Sequence, residues 1–138
     1  EPLLLAGGGA TQIALARHLR RFAERFAGRE QLAIEAFADA LEIIPRTLAQ
    51  NAGLDPLDSL LQTVAKQTTT GGSAGHRIGL NVDKKAPSDM VDDGVVEPLR
   101  ITRQVLAGAT EAALSVLRID DVLWAKQDPT EPDLPDED

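Results

Sequence analysis

The sequence predicts a mainly α fold with a small β component. Two observations support this class: large apolar residues recur at helical spacing through much of the chain, and extended apolar runs are few and short. Hydrophobic residues make up 43% of the 138 residues, which is enough for one ordinary domain with a core. The short extended runs are residues 3–6, 77–82 and 119–124.

The first part of the chain predicts a strand, a tight turn and two helices. Residues 3–6 form an apolar run that stops at three glycines, as a buried strand does before a turn. A first amphipathic helix is indicated by Leu15, Leu19, Phe22 and Phe26, and we expect Gly28 to end it. A second, over 30–50, is indicated by Ile34, Phe37, Leu41, Ile44 and Leu48. Pro45 inside this helix predicts a kink, and Asn51-Ala52-Gly53 a stop.

The later elements follow from caps, turns and prolines. Asp55 is the predicted N-cap of a third helix, with Pro56 in its first position and a buried face of Leu57, Leu60, Leu61 and Val64. Residues 68–75 are rich in Thr, Gly and Ser and predict a surface loop. We expect a strand at 77–82, a turn at 83–88, a last helix opened by Pro98 and a strand at 119–124. The acidic, proline-rich segment 127–138 predicts disorder, so the domain is residues 1–126.

Composition excludes several classes of function. A formal net charge of −8 argues against binding to nucleic acid or to an anionic membrane. The sequence contains no apolar stretch of about 18 residues, so it predicts no membrane-spanning helix. The chain has no cysteine, as is typical of a cytoplasmic protein. The two histidines, His18 and His76, have no second ligand at metal-binding spacing. We therefore predict no metal site and no catalytic residue.

Two features have both a structural and a ligand-binding interpretation. Gly7-Gly8-Gly9 after a strand and before a helix is either a tight turn or a place where backbone closely approaches a nucleotide; it lacks the pattern of a Walker loop or a dinucleotide fingerprint. Glu97, next to Pro98 at a predicted helix start, is either a capping acid or an acceptor for vicinal hydroxyls.

Five segments together resemble the group II chaperonins, the archaeal thermosome family. They are Gly7 to Thr11, Gln31 to Glu42, Gly79 to Val82, Gly94 to Pro98 and Arg118 to Val122, and the resemblance covers roughly residues 1–123. It implies the carboxy-terminal third of a subunit: the second half of an equatorial domain, a helical bundle with a small β-hairpin and a C-terminal strand. The abrupt start, without the basic flank of a signal peptide, fits that expectation.

The resemblance also implies a binding site. In that family the glycine turn, here Gly7, Gly8 and Gly9, packs against the base and sugar of ATP or ADP, which binds with Mg²⁺. The stretch containing Leu80 and Asn81 resembles the lining of the adenine pocket, although on its own it is also an ordinary edge strand. Glu97 corresponds to an acid that accepts hydrogen bonds from the ribose. The implied partners are other chaperonin subunits in a ring and unfolded client proteins, the latter bound by domains absent from this chain.

Some parts of the family pattern are missing. No Gly-Asp-Gly phosphate-binding segment occurs in the sequence, and the family's water-orienting aspartate lies in earlier parts of a subunit. We therefore expect no ATP hydrolysis by this chain alone. The alternative is a free-standing, chaperonin-derived helical interaction module that works without nucleotide.

Overall fold

The computed structural model describes residues 3–119, and within them the fold is mainly helical, as predicted. The chain divides into two compact units, Glu1–Arg103 and Gln104–Asp138. The helices are α1 (Ala10–Ala23), α2 (Arg29–Asn51), α3 (Pro56–Thr70), α4 (Gly72–Gly75) and α5 (Leu99–Leu117). The strands are β1 (Leu4–Ala6), β2 (Ile78–Asn81), β3 (Ala86–Asp89) and β4 (Val96–Pro98).

The strands form two small antiparallel sheets in the first unit. Strands β2 and β3 make a hairpin in which Asn81 pairs with Ala86, so its turn occupies only 82–85. Strands β1 and β4 pair across about ninety residues of sequence, with Leu5 opposite Glu97 and Ala6 opposite Val96. This long-range pair fixes the end of β1, where the glycines follow, beside the segment that leads into α5.

The core of the first unit lies between α1, α2, α3 and the hairpin. Helix α1 packs most extensively on α2, and small buried residues such as Ala16 and Ala38 occupy the buried faces of the two helices. The largest side chains that are fully buried are Ile13, Thr63, Gln67 and Met90. Within Gln104–Asp138, α5 is regular, and the Thr110 and Ser115 hydroxyls donate to carbonyls one turn earlier.

The predicted start of the third helix is confirmed in detail. Asp55 is the N-cap of α3, its carboxylate accepts from the Asp58 backbone N–H at 2.8 Å, and Pro56 occupies the first turn. The end of α2 at Asn51 also agrees with the predicted stop. The last helix begins at Leu99, one residue later than expected, because Pro98 pairs with Leu4 in the β1–β4 sheet.

One helix boundary and one loop were predicted wrongly. Helix α1 ends at Ala23, and Gly28, with φ of 68°, precedes α2 instead of closing α1. The predicted loop at 68–75 is largely helical, because the Thr68 and Thr69 hydroxyls donate to the carbonyls of Val64 and Ala65 and are satisfied inside α3. The kink at Pro45 stays a prediction, within a helix that continues through it.

The predicted apolar faces are only partly buried. Leu41 and Leu60 are buried, whereas other large residues of the same faces remain exposed: Phe37, Ile44, Leu57 and Leu61. Helical spacing identifies an apolar face, but it does not tell which part of the face meets a neighbour in this chain. The predicted strand at 119–124, apart from Ile119, and the predicted disordered tail at 127–138 lie outside the described residues.

Candidate functional site

The glycine turn links β1 directly to α1. Gly8 and Gly9 have φ of 60° and 74°, and Gly9 is the N-cap of α1 in the left-handed conformation that glycine adopts without strain. The Gly7 N–H donates to the Val95 carbonyl at 2.9 Å, which ties the turn to the segment just before β4. The turn therefore lies between the amino terminus of α1 and the chain that carries Glu97.

Each glycine of the turn is also required by packing inside the protein. A Cβ on Gly7 would lie 2.8 Å from Val95 Cγ1, and one on Gly8 would lie 2.7 Å from the Leu80 carbonyl oxygen. A Cβ on Gly9 would lie 2.6 Å from Pro45 Cβ. Real Cβ atoms essentially never come this close to another atom, so a side chain at any of the three positions would have to displace a neighbour. The tight turn alone thus explains why these residues are glycines. A ligand that approaches the backbone of the turn is also compatible with them.

Glu97 lies on β4 and pairs with Leu5, and Leu5 is two residues before the first glycine of the turn. Its Oε2 accepts a hydrogen bond from the Thr102 hydroxyl at 2.9 Å, and Thr102 itself is buried in the first turn of α5. The Glu97 side chain is half-buried, and within residues 3–119 no lysine or arginine forms an ion pair with it. One oxygen of this partly buried carboxylate accepts from a hydroxyl, and no cation pairs with it in the described range. It is therefore suited to accept hydrogen bonds from further hydroxyl groups.

Leu80 and Asn81 lie next to the turn, but their side chains are engaged within the protein. The Leu80 N–H donates to the Gly8 carbonyl at 2.8 Å, and the Leu80 side chain is buried. Asn81 is buried as well: its Oδ1 accepts from the backbone N–H groups of Asp83 and Lys84, and its Nδ2 donates to Asp93 at 2.7 Å. Both residues therefore hold the hairpin against the turn, and Asn81 uses both polar atoms of its side chain to do so.

Asp93 organises the hairpin beside this site, a role that the sequence did not reveal. Its carboxylate accepts from Lys84, Ser88 and Asn81, and these hydrogen bonds hold the pKa of Asp93 well below its usual range. In the sequence, Asp92-Asp93-Gly94 has the composition of a turn, and nothing in it indicates these three partners. Asp93 is therefore an ionised anchor for the hairpin turn.

Gln12, in the first turn of α1, has a polar group whose environment the sequence did not reveal. It is buried, and its Oε1 has no hydrogen-bond partner among the described residues. A buried acceptor that lacks a donor costs about 1–3 kcal/mol, so natural structures rarely leave one unpaired. Gln12 lies three residues after Gly9, the last glycine of the turn.

The structure therefore brings the predicted turn, Leu80 and Glu97 into one region through the β1–β4 pair and the β2 contact. A model of the TCP-1/cpn60 chaperonin family matches residues 1–127 of the chain. The chain belongs to the TCP-1/cpn60 chaperonin family.

Relatives and solved structures agree with that membership. The chain is 54% identical to a thermosome subunit of Methanocaldococcus jannaschii over 127 residues, which is 92% of this chain and 23% of the relative. It is 56% identical to a thermosome subunit of Methanopyrus kandleri over 124 residues, 90% of this chain and 22% of the relative. The chain thus spans under a quarter of the length of these chaperonin relatives.

One similar structure is the open-state monomer of a group II chaperonin from Methanococcoides burtonii. The match has a TM-score of 0.78 and 42% sequence identity, and it covers 84% of this chain and 28% of that one. The predicted fold class, a mainly helical part of a chaperonin equatorial domain, is therefore confirmed. The predicted resemblance to the group II chaperonins is confirmed by the same comparisons.

Residues 3–119 contain neither a candidate metal site nor a candidate membrane-spanning helix. No group of three or more His, Cys, Asp or Glu residues in this range could hold a metal ion. No helix in the same range is both long and apolar enough to cross a membrane.

Proposed function

We propose that this chain supplies the adenosine side of an ATP pocket in a group II chaperonin subunit that assists protein folding. The observation that supports this most strongly is the juxtaposition of the glycine turn with Glu97, which the Leu5–Glu97 pairing produces. Gly7, Gly8 and Gly9 would offer backbone that a base and sugar can approach closely, and Glu97 would accept from the ribose hydroxyls. Leu80 and Asn81 would support this pocket through the backbone of β2.

Thr102 gives the Glu97 carboxylate a defined orientation in this proposal. The Thr102 hydroxyl donates to Oε2 of Glu97, so Oε1 would be the oxygen that accepts from the ribose. Because Thr102 is buried at the start of α5, its own position is fixed by packing. The carboxylate would then meet a ribose with little loss of side-chain freedom on binding.

In this proposal the described residues would contact adenosine but not a magnesium-bound triphosphate. Phosphoryl transfer requires a metal that bridges the phosphates and a group that positions the attacking water. Residues 3–119 contain no carboxylate cluster that could hold the metal, and the sequence contains no Gly-Asp-Gly segment. In the proposal, other parts of a complete subunit hold Mg²⁺ and the phosphates of ATP or ADP.

We predict that the chain alone releases no phosphate from ATP above the background rate, because the groups for phosphoryl transfer are missing. The measurement is a steady-state phosphate-release assay with Mg²⁺ at several protein concentrations. Turnover that rises with protein concentration and disappears in Glu97→Ala would show that catalytic groups lie within this chain.

We predict that Glu97→Ala weakens adenosine binding by about 10- to 100-fold, since hydrogen bonds to a charged group contribute about 1.5–3 kcal/mol. Isothermal titration calorimetry with adenosine and with 2′,3′-dideoxyadenosine measures this. The wild-type chain should prefer adenosine, and the variant should bind both ligands equally weakly. Glu111→Ala, an exposed glutamate within α5, is the control and should leave both affinities unchanged. An unchanged preference in Glu97→Ala would contradict the proposed role of this carboxylate.

The alternative function, an interaction module without nucleotide, is favoured by a different observation. Large apolar side chains on α2 and α3 are exposed: Leu32, Phe37, Ile43, Ile44, Leu57 and Leu61. Such a surface marks a protein contact. In the first proposal this surface contacts the rest of a chaperonin subunit or a neighbouring subunit of the ring, and the complete ring acts on unfolded clients. In the alternative the same surface contacts a separate partner. Absence of any adenosine binding by the wild-type chain would leave the alternative as the better account.

A further inference from the structure

A small basic cavity opens beside α1, and neither the glycine turn nor Glu97 lines it. It has a volume of about 130 Å³, and its lining includes Arg17, Arg21, Gln67, Gly71, Gly72 and His76. These residues include two arginines and a histidine and no acidic side chain. The chain carries a net charge of −8, so two arginines that line one cavity without an acidic residue are a local reversal of that charge.

The arginines of this cavity differ in their partners from two other arginines of the first unit, Arg20 and Arg77. Arg20, on the same helix, pairs with Asp39 and Glu42, and Arg77 pairs with Asp89 and Asp92. Within residues 3–119, neither Arg17 nor Arg21 forms an ion pair with a carboxylate. The cavity therefore holds two guanidinium groups whose charge is not balanced by a partner in the described part of the chain.

One of these guanidinium groups is oriented by a buried amide. The Gln67 side chain is fully buried, and its Nε2 donates to the carbonyls of Ala10 and Ile78 at 3.0 and 2.8 Å. These two bonds direct Oε1 toward Arg17, whose guanidinium donates to it at 3.3 Å. Arg17 is thus held through one N–H group by the core, and its remaining N–H groups are available to a ligand.

The opposite wall of the cavity is made of small residues. Gly71 and Gly72 have φ of 68° and 54°, a backbone conformation that favours glycine. A Cβ added to Gly72 would meet no atom within 4 Å, so the wall borders open space rather than packed side chains. The cavity is therefore accessible from solvent beside His76, which is exposed.

We propose that this cavity binds a single oxyanion, a phosphate or carboxylate group, between Arg17, Arg21 and the His76 ring. The planar fork of a guanidinium matches both kinds of oxyanion, and charge-assisted hydrogen bonds of this type are stronger than neutral ones. None of the lining residues belongs to the proposed adenosine site. The inference therefore goes beyond the proposed function and does not depend on it.

The test uses the two histidines of the chain as separate probes. Proton NMR follows the His18 and His76 ring signals, assigned with His18→Gln, during titration with inorganic phosphate and, in a second arm, with acetate. The pH and ionic strength stay fixed with sodium chloride, because screening weakens exposed charge interactions. We expect a saturable shift of the His76 signal. Tighter binding of phosphate indicates a phosphoryl ligand, whereas equal binding of acetate indicates a carboxylate.

Matched variants show whether the cavity or the general charge of α1 is responsible. Arg21 and Arg25 are both exposed on α1 or just after it, and only Arg21 lines the cavity. Arg21→Gln should weaken phosphate binding about 10-fold or more, and Arg25→Gln should leave it within about twofold, as the loss of one charge-assisted contact predicts. Equal losses in both variants, or no saturable shift of His76 with either anion, would overturn the proposal.

Discussion

Gly79→Ala is expected to lower the free energy of unfolding by about 3 kcal/mol, at the upper end of what overpacking costs. A Cβ at this position would lie 2.6 Å from the Gly7 carbonyl oxygen, 2.9 Å from that of Gly8 and 2.7 Å from Met90 Cγ. Two of these neighbours are backbone atoms of the glycine turn, and they cannot rotate away. Strand β2 would have to separate from the turn, and the Leu80–Gly8 hydrogen bond would be lost with it.

Urea unfolding followed by circular dichroism measures this change. Gly108→Ala is the matched control, because this glycine lies inside helix α5 and a Cβ there would meet nothing within 4 Å. That substitution should stabilise the helix by up to about 1 kcal/mol, as alanine has the higher helix propensity. If Gly79→Ala lost less than about 1 kcal/mol, the close contact between β2 and the glycine turn would be wrong.

Gln67→Leu is expected to lower the free energy of unfolding by about 2–4 kcal/mol, although it keeps the side-chain volume close to that of glutamine. The substitution removes the donor to the Ala10 and Ile78 carbonyls and buries them against an apolar group. Each buried polar group left without a partner costs about 1–3 kcal/mol. Gln67 joins α3 to both α1 and β2, so this loss affects the region that positions the turn.

Gln62→Leu provides the control for that experiment. It makes the same chemical change on the exposed side of the same helix, and it should alter the free energy of unfolding by no more than about 0.5 kcal/mol. Thermal unfolding by calorimetry compares the two variants. Equal effects of the two substitutions would mean that the buried hydrogen bonds of Gln67 contribute nothing to stability.

Local sequence rules predicted the helices and caps well. The N-cap at Asp55, the stop after Asn51 and the strand at 77–82 depend on neighbouring residues, and the structure has each of them close to its predicted place. The loop predicted at 68–75 failed for a local reason as well: threonines bond back to their own helix, so composition alone was misleading. Spacing gave the apolar faces of the helices, but it did not give the part of each face that stays exposed.

The candidate site depended on contacts that local rules do not reach. The Leu5–Glu97 pairing joins residues far apart in the sequence, and only the family resemblance suggested that they act together. The glycines were recognised as special, but the reason, their contacts with Val95, Leu80 and Pro45, comes from three separate segments. The sequence did not indicate that Gln67 is buried, because a polar residue at a helical position is ordinarily expected on the exposed face.

The glycine turn and Glu97 together form the proposed adenosine-binding surface. The most direct measurement is a ¹H–¹⁵N correlation spectrum of the chain titrated with adenosine. We expect saturable shifts concentrated at the amides of Gly7, Gly8, Gly9, Leu80 and Glu97, with the amides around Arg17 and Arg21 unchanged. Binding that shifts other amides and leaves the turn and Glu97 unperturbed, or no binding at millimolar adenosine, would contradict it.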